Sequence, residues 1–164
     1  MLTLRFRLLI VLLMLGVCGV VAAQDAPAMG ASRHVLRGTY IDHGSYMSGL
    51  MVPAMTWTNV GKPLMITCPG MSGMCSVQLD AWIQNGNEMS MENQYRVCFC
   101  LDGMRVADCQ VVGSTPSDGS LLIGSASEMV KMVPLGTHMV QTVVWSMNGM
   151  SVFHYTSNYR VYKP

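Results

Sequence analysis

Asn93-Gln94-Tyr95-Arg96-Val97-Cys98-Phe99-Cys100-Leu101-Asp102-Gly103 is the stretch that decides the fold. Tyr95, Val97, Phe99 and Leu101 recur at every second residue, with Arg96, Cys98 and Cys100 between them. A period of two puts the first set on one face of a strand and the second set on the other. Asp102-Gly103 follows, a pair that tolerates the positive φ angles a tight hairpin demands. Met104 to Val112 is the expected return strand.

The same pattern recurs outward from this stretch. Between Cys75 and Gln84, Val77, Leu79, Ala81 and Ile83 share one face. Ser76, Gln78, Asp80, Trp82 and Gln84 share the other, and Asn85-Gly86-Asn87 marks a turn. His138 to Met147 is dense in Val and Thr, Asn148-Gly149 is a second hairpin signal, and Met150 to Lys163 is its return strand. Weaker strand signals lie at Val35–Ile41, Met51–Thr58 and Leu64–Cys68. Residues 113–127, rich in Ser and Gly, read as a long loop or a short edge strand. No stretch sustains a helical period. Seven or eight short strands, with turn signals about every ten residues, predict an all-β, antiparallel β-sandwich.

The run from Tyr95 to Gly103 resembles the strand and turn of bacterial immunoglobulin-like domains. Leu135-Gly136-Thr137-His138, followed by Val140, Thr142 and Val144, is similar to a strand entry of the same domains. The tyrosine-rich segment from Tyr155 to Tyr162 is similar to their last strand. The resemblance covers residues 93–163 and leaves 47–92 unmatched. It implies an immunoglobulin-like sandwich of about 7–8 strands, of the kind used in exported adhesion and accessory modules. It brings no catalytic residues.

Residues 1–23 read as a secretory signal peptide. Arg5 and Arg7 precede the apolar run Leu8–Val21, and Val21-Ala22-Ala23 offers small residues before Gln24. Residues 24–33 read as a flexible leader, and 34–164 as a single sandwich domain. The expected destination is the periplasm or the exterior, with no membrane span once the signal is cleaved. The 164-residue chain has 51% apolar and only 12% charged residues, with a net charge of +1. That balance makes no electrostatic case for nucleic acid. Cleavage would remove Arg5, Arg7 and Cys18, leaving a net charge of −1 and five cysteines.

Export permits disulfides, and an odd count leaves one thiol over. The expected pairs are Cys68–Cys75, closing a Pro-Gly-Met-Ser-Gly-Met loop, and Cys98–Cys109, with Cys100 unpaired. A turn at Asp102-Gly103 makes Cys109 the diagonal neighbour of Cys98, and a one-residue slip makes it the direct one. A bridge from Cys68 or Cys75 to the Cys98 strand suits a sandwich equally well.

Methionine is the compositional anomaly, with 17 in the chain. Met55, Met65 and Met139 fall in apolar strand patterns and are expected to fill the core. Met47, Met51, Met104, Met147 and Met150 sit near glycines and are expected in loops. Met71, Met74, Met89 and Met91, with Cys100, form the candidate ligand set for Cu(I), because thioethers are soft and need no deprotonation. Trp57 and Trp145 are expected between the sheets. Trp82 is the exception, since the other face of its strand is the apolar one. No nucleophile elbow, zinc helix or phosphate loop is present. The expectation is a non-catalytic binding or structural module for a protein or glycan, with Trp82 on its binding face. The alternative is a periplasmic soft-metal protein.

Overall fold

The computed structural model describes residues 35–86, 93–106, 109, 111–115 and 121–163. The assigned signal peptide and leader lie outside these residues. The strands are β1 (Val35–Val52), β2 (Trp57–Cys68), β3 (Cys75–Gly86), β4 (Asn93–Leu101) and β5 (Met104–Arg105). They continue with β6 (Val111–Thr115), β7 (Leu122–Val133), β8 (Gly136–Ser146) and β9 (Met150–Lys163). The first sheet has the order β1-β9-β3-β7. The second runs β2-β8-β4, with β5 and β6 both pairing β4. Every strand pairing is antiparallel. The all-β antiparallel sandwich is thus as the sequence pattern predicts.

Strands alternate between the layers: β1, β3, β7 and β9 lie in the first sheet, β2, β4 to β6 and β8 in the second. That is jelly-roll connectivity. Asn148-Gly149 therefore does not close a hairpin. Gly149 has a φ of 87°, and the turn carries the chain from the second sheet to the first. A positive-φ residue serves an arch between layers as well as a turn within one. Asp102 and Gly103, with φ of 51° and 79°, do close a two-residue hairpin, with Leu101 opposite Met104. The return strand beyond it is split: β5 pairs with the end of β4, and β6 with its start.

Of the two readings of residues 113–127, the edge strand holds from Leu122 onward, where β7 runs full length along β3. Its glycine has a packing cause. A Cβ on Gly124 would stand 2.5 Å from the Tyr95 hydroxyl, so only glycine lets the ring lie there. The weak signals at 35–58 resolve into one eighteen-residue strand, β1, and the start of β2.

The core lies between the inner faces. Val77, Leu79 and Ile83 of β3 and Val161 of β9 face Ile66, Val97, Val140 and Val144 of the second sheet, all at most 2% exposed. Phe99 meets Tyr159 edge to face at 6.2 Å. Thr142 Oγ1 shares hydrogen bonds of 2.7 Å with Ser157 and with the Tyr159 hydroxyl, which satisfies buried polar groups across the layers. At one margin β1 serves β2 through side chains. The N–H groups of Gly61, Lys62 and Thr67 donate to Tyr46 Oη, Asp42 Oδ2 and Tyr40 Oη at 3.0, 2.9 and 3.0 Å.

Candidate functional site

Alternation along β3 sends Trp82 to the outer face of the first sheet, where it is 40% exposed. Thr156 of β9 and Ser125 of β7 stand opposite it, and His43 of β1 completes the row. The neighbouring rows bring exposed Ile41 and Ile123 to the same face. In the row of Ile41, Asp80 organises a polar patch. It accepts hydrogen bonds from Gln78 Nε2 at 3.0 Å and Ser127 Oγ at 2.6 Å and pairs with Arg160. Burial pushes the Asp80 carboxyl up, but these donors together hold it below its ordinary value. The surface is a mixed platform with one large aromatic near its middle.

Cys68 and Cys75 lie at disulfide distance, with Cα atoms 5.8 Å apart, and join β2 of one sheet to β3 of the other. Cys98 and Cys109 also lie at disulfide distance, with Cα atoms 5.1 Å apart. Cys100 is free and half-buried on the outer face of the second sheet, opposite Arg105 and Gln141. Burial pushes its thiol up, against a smaller opposing pull from Arg105.

The methionines face outward. Met71 and Met74 are exposed in the loop closed by Cys68 and Cys75, at the start of β3. Met89 and Met91 lie outside the described residues. Met55, Met65 and Met139 are exposed rather than core, and Met65 stands opposite Met139 on the outer face. The reason is phase: Val60, Ile66, Val140 and Val144 hold the inner positions of those strands. Met150 is the reverse case, 1% exposed in the core although it follows a glycine turn. Eleven methionines are exposed, and among the described residues only Met150 is buried. No group of three or more His, Cys, Asp or Glu among the described residues is placed to hold a metal.

Trp57 and Trp145 are not between the sheets. They sit opposite each other on the outer face of the second sheet, centroids 6.5 Å apart. Arg105 lies over Trp57 at 4.8 Å and Arg96 over Trp145 at 5.6 Å. Beneath and beside this row, Cys98, Val143 and Gln141 are 2%, 4% and 7% exposed although their strand phase points outward. Gln141 Nε2 donates to the carbonyls of Val60 and Gly61 at 3.0 and 3.2 Å, where the β2 ladder is interrupted. Sequence reasoning placed Arg96 on this face but missed the ladder. Only the pairing of β2, β8, β4 and β5 brings the four side chains together.

At the Asp102-Gly103 hairpin, Asp102 Oδ2 lies 2.7 Å from His138 Nδ1, and Oδ1 accepts from the Met139 N–H. His138 Nε2 lies 3.0 Å from the Pro134 carbonyl. The bond to Asp102, aided by the Pro134 carbonyl and opposed by burial, holds the imidazole above its ordinary pKa.

Among the described residues no helix is long and apolar enough to cross a membrane. No protein-family model and no curated protein matches the chain.

Proposed function

We propose that this protein is an exported, non-catalytic binding module, which shares with immunoglobulin-like domains two packed antiparallel sheets but not their strand order. It engages a protein or glycan partner through the outer face of the first sheet, in the periplasm or outside the cell. The observation that carries the reading is Trp82: a large aromatic, 40% exposed, on a platform where the core makes no use of it. Two cysteine pairs at disulfide distance support an oxidising compartment. The test is binding of the exported protein to a panel of envelope glycans and exported proteins, beside Trp82→Ala. A ligand bound by the parent and lost in the variant supports the reading. Equal binding by both removes Trp82 from the site.

A second reading, Cu(I) binding through Met71, Met74, Met89, Met91 and Cys100, draws on the exposure of Met71 and Met74 in one short loop. A Cu(I) titration against a competing chelator tests it. Defined stoichiometry that disappears when the four methionines become Leu supports it, and no competition retires it.

A further inference from the structure

We infer that the exposed methionines are oxidation sites, and that the chain is a stoichiometric sink for two-electron oxidants of the hypochlorous acid class. The observation is where the strands put sulfur. In four strands a methionine stands next to a β-branched residue, and the β-branched residue takes the core position. Met51, Met65, Met132 and Met139 are 38% to 71% exposed, while Val52, Ile66, Val133 and Val140 beside them are at most 1% exposed. Methionine is a flexible gap-filler of cores. Here it is placed on the outside, where an apolar side chain gains little from burial. What remains at such a position is the chemistry of the thioether.

A shared metal ion does not account for this pattern. Met51 lies in the row of Gly86 and Met132 beside that of Cys75, at opposite ends of the first sheet and about 35 Å of strand apart. Met65 and Met139 face each other on the second sheet. Thioethers so dispersed do not gather round one ion, but each can react alone. The sulfur gives two electrons to hypochlorous acid: an S–O bond forms, the O–Cl bond breaks, and chloride and a proton leave. The product is a polar sulfoxide. Water accepts it at an outer position, whereas at an inner one it disrupts packing. Valine and isoleucine hold the inner positions named above, and Met150, the one buried methionine among the described residues, is 1% exposed. The fold thus takes up oxygen at its surface and keeps it out of its core. Thiols compete little: Cys68, Cys75, Cys98 and Cys109 lie in pairs at disulfide distance, and burial holds the Cys100 thiol above its ordinary pKa.

The experiment is a hypochlorous acid titration of the protein, read by intact mass, peptide mapping and near-ultraviolet circular dichroism. The eleven exposed methionines are expected to gain one oxygen each while the near-ultraviolet signal holds, with Met150 modified only after that signal is lost. In Met51→Leu/Met65→Leu/Met132→Leu/Met139→Leu, a nearly volume-conserving change, the oxidant consumed before unfolding is expected to fall by about four equivalents. Each single substitution is expected to remove about one equivalent, and the singles replace the fourfold variant if it does not fold. A bystander enzyme that hypochlorous acid inactivates is then mixed with fresh protein or with protein already oxidised. Protection by the fresh protein, and little by the oxidised one, supports the sink. Unfolding before the exposed methionines are consumed, oxidation of Met150 in step with them, unchanged equivalents in the Leu variants, or equal protection by fresh and oxidised protein each overturns the inference.

Discussion

The two outer faces of the sandwich share one pleat geometry and treat their tryptophans in opposite ways. On the first sheet Trp82 stands beside Thr156 and Ser125 with open solvent above it. On the second sheet Trp57 and Trp145 lean together under two arginines, and Val143, Cys98 and Gln141 are buried on the same outward face. Pointing away from the core is therefore not the same as facing water. The second sheet carries a thin apolar layer of its own, and the first does not.

The largest expected effect breaks that layer. Trp145→Ala should lower stability by about 3 kcal/mol, the low end for truncating a packed tryptophan, read as a shift in the urea midpoint. A loss no larger than that of Trp82→Ala would show that the outer layer is not structural. Next in size is the bridge between the layers. Cys68→Ser/Cys75→Ser should cost about 2.5 kcal/mol, from the loop-closure entropy of a short ring. Because the pair joins β2 to β3, both faces should loosen together in hydrogen exchange. Loosening confined to one sheet would mean the layers are held by the core alone.

A pH titration separates the faces. His138 is raised above 6.5, so the stability it gains from Asp102 is complete below that value and lost as pH rises through its higher folded pKa. Asp102 is lowered below 3.8, so its contribution is present above 3.8 and lost as pH falls through its lower folded pKa. The contact is therefore fullest between about pH 4 and 6.5. Between pH 6 and 9 the unfolding free energy should fall, and His138→Gln should flatten that slope. The contact ties the β4–β5 hairpin to β8, both in the second sheet, so fluorescence of Trp57 and Trp145 should respond while Trp82 does not. The smallest effect is Trp82→Ala itself, expected within about 0.5 kcal/mol of the parent, as for an open surface position. A larger cost would give Trp82 a structural role.

What the sequence made legible follows from what alternation encodes. A period of two states which residues share a face, and it placed Trp82 outward, Tyr95 and Phe99 inward, and Cys98 beside Cys109. It does not state which sheet a strand joins. Asn148-Gly149 looked like a hairpin because a glycine at positive φ suits either a hairpin or an arch. Val143 and Val144 are adjacent, so either phase of β8 looked apolar, and Trp145 was assigned to the wrong one. The serine- and glycine-rich stretch before Val130 read as either a loop or a short edge strand, because its Gly113 and Gly124 answer to the Tyr95 ring and not to a turn. The arginine–tryptophan row was illegible for a further reason: it depends on how β2 and β8 register against the β4–β5 hairpin, far apart in sequence.

The side-chain seam between β1 and β2 bears on how this chain behaves in a crowd of its own kind. β2 is the last strand of its sheet, and such a margin ordinarily offers bare N–H groups to any extended segment that drifts past. Here three of those donors are already held by Tyr40, Asp42 and Tyr46 of the same molecule. A foreign strand would have to evict two phenols and a carboxylate before it could form its first rungs. The seam that closes the sandwich thus also guards it against templated aggregation.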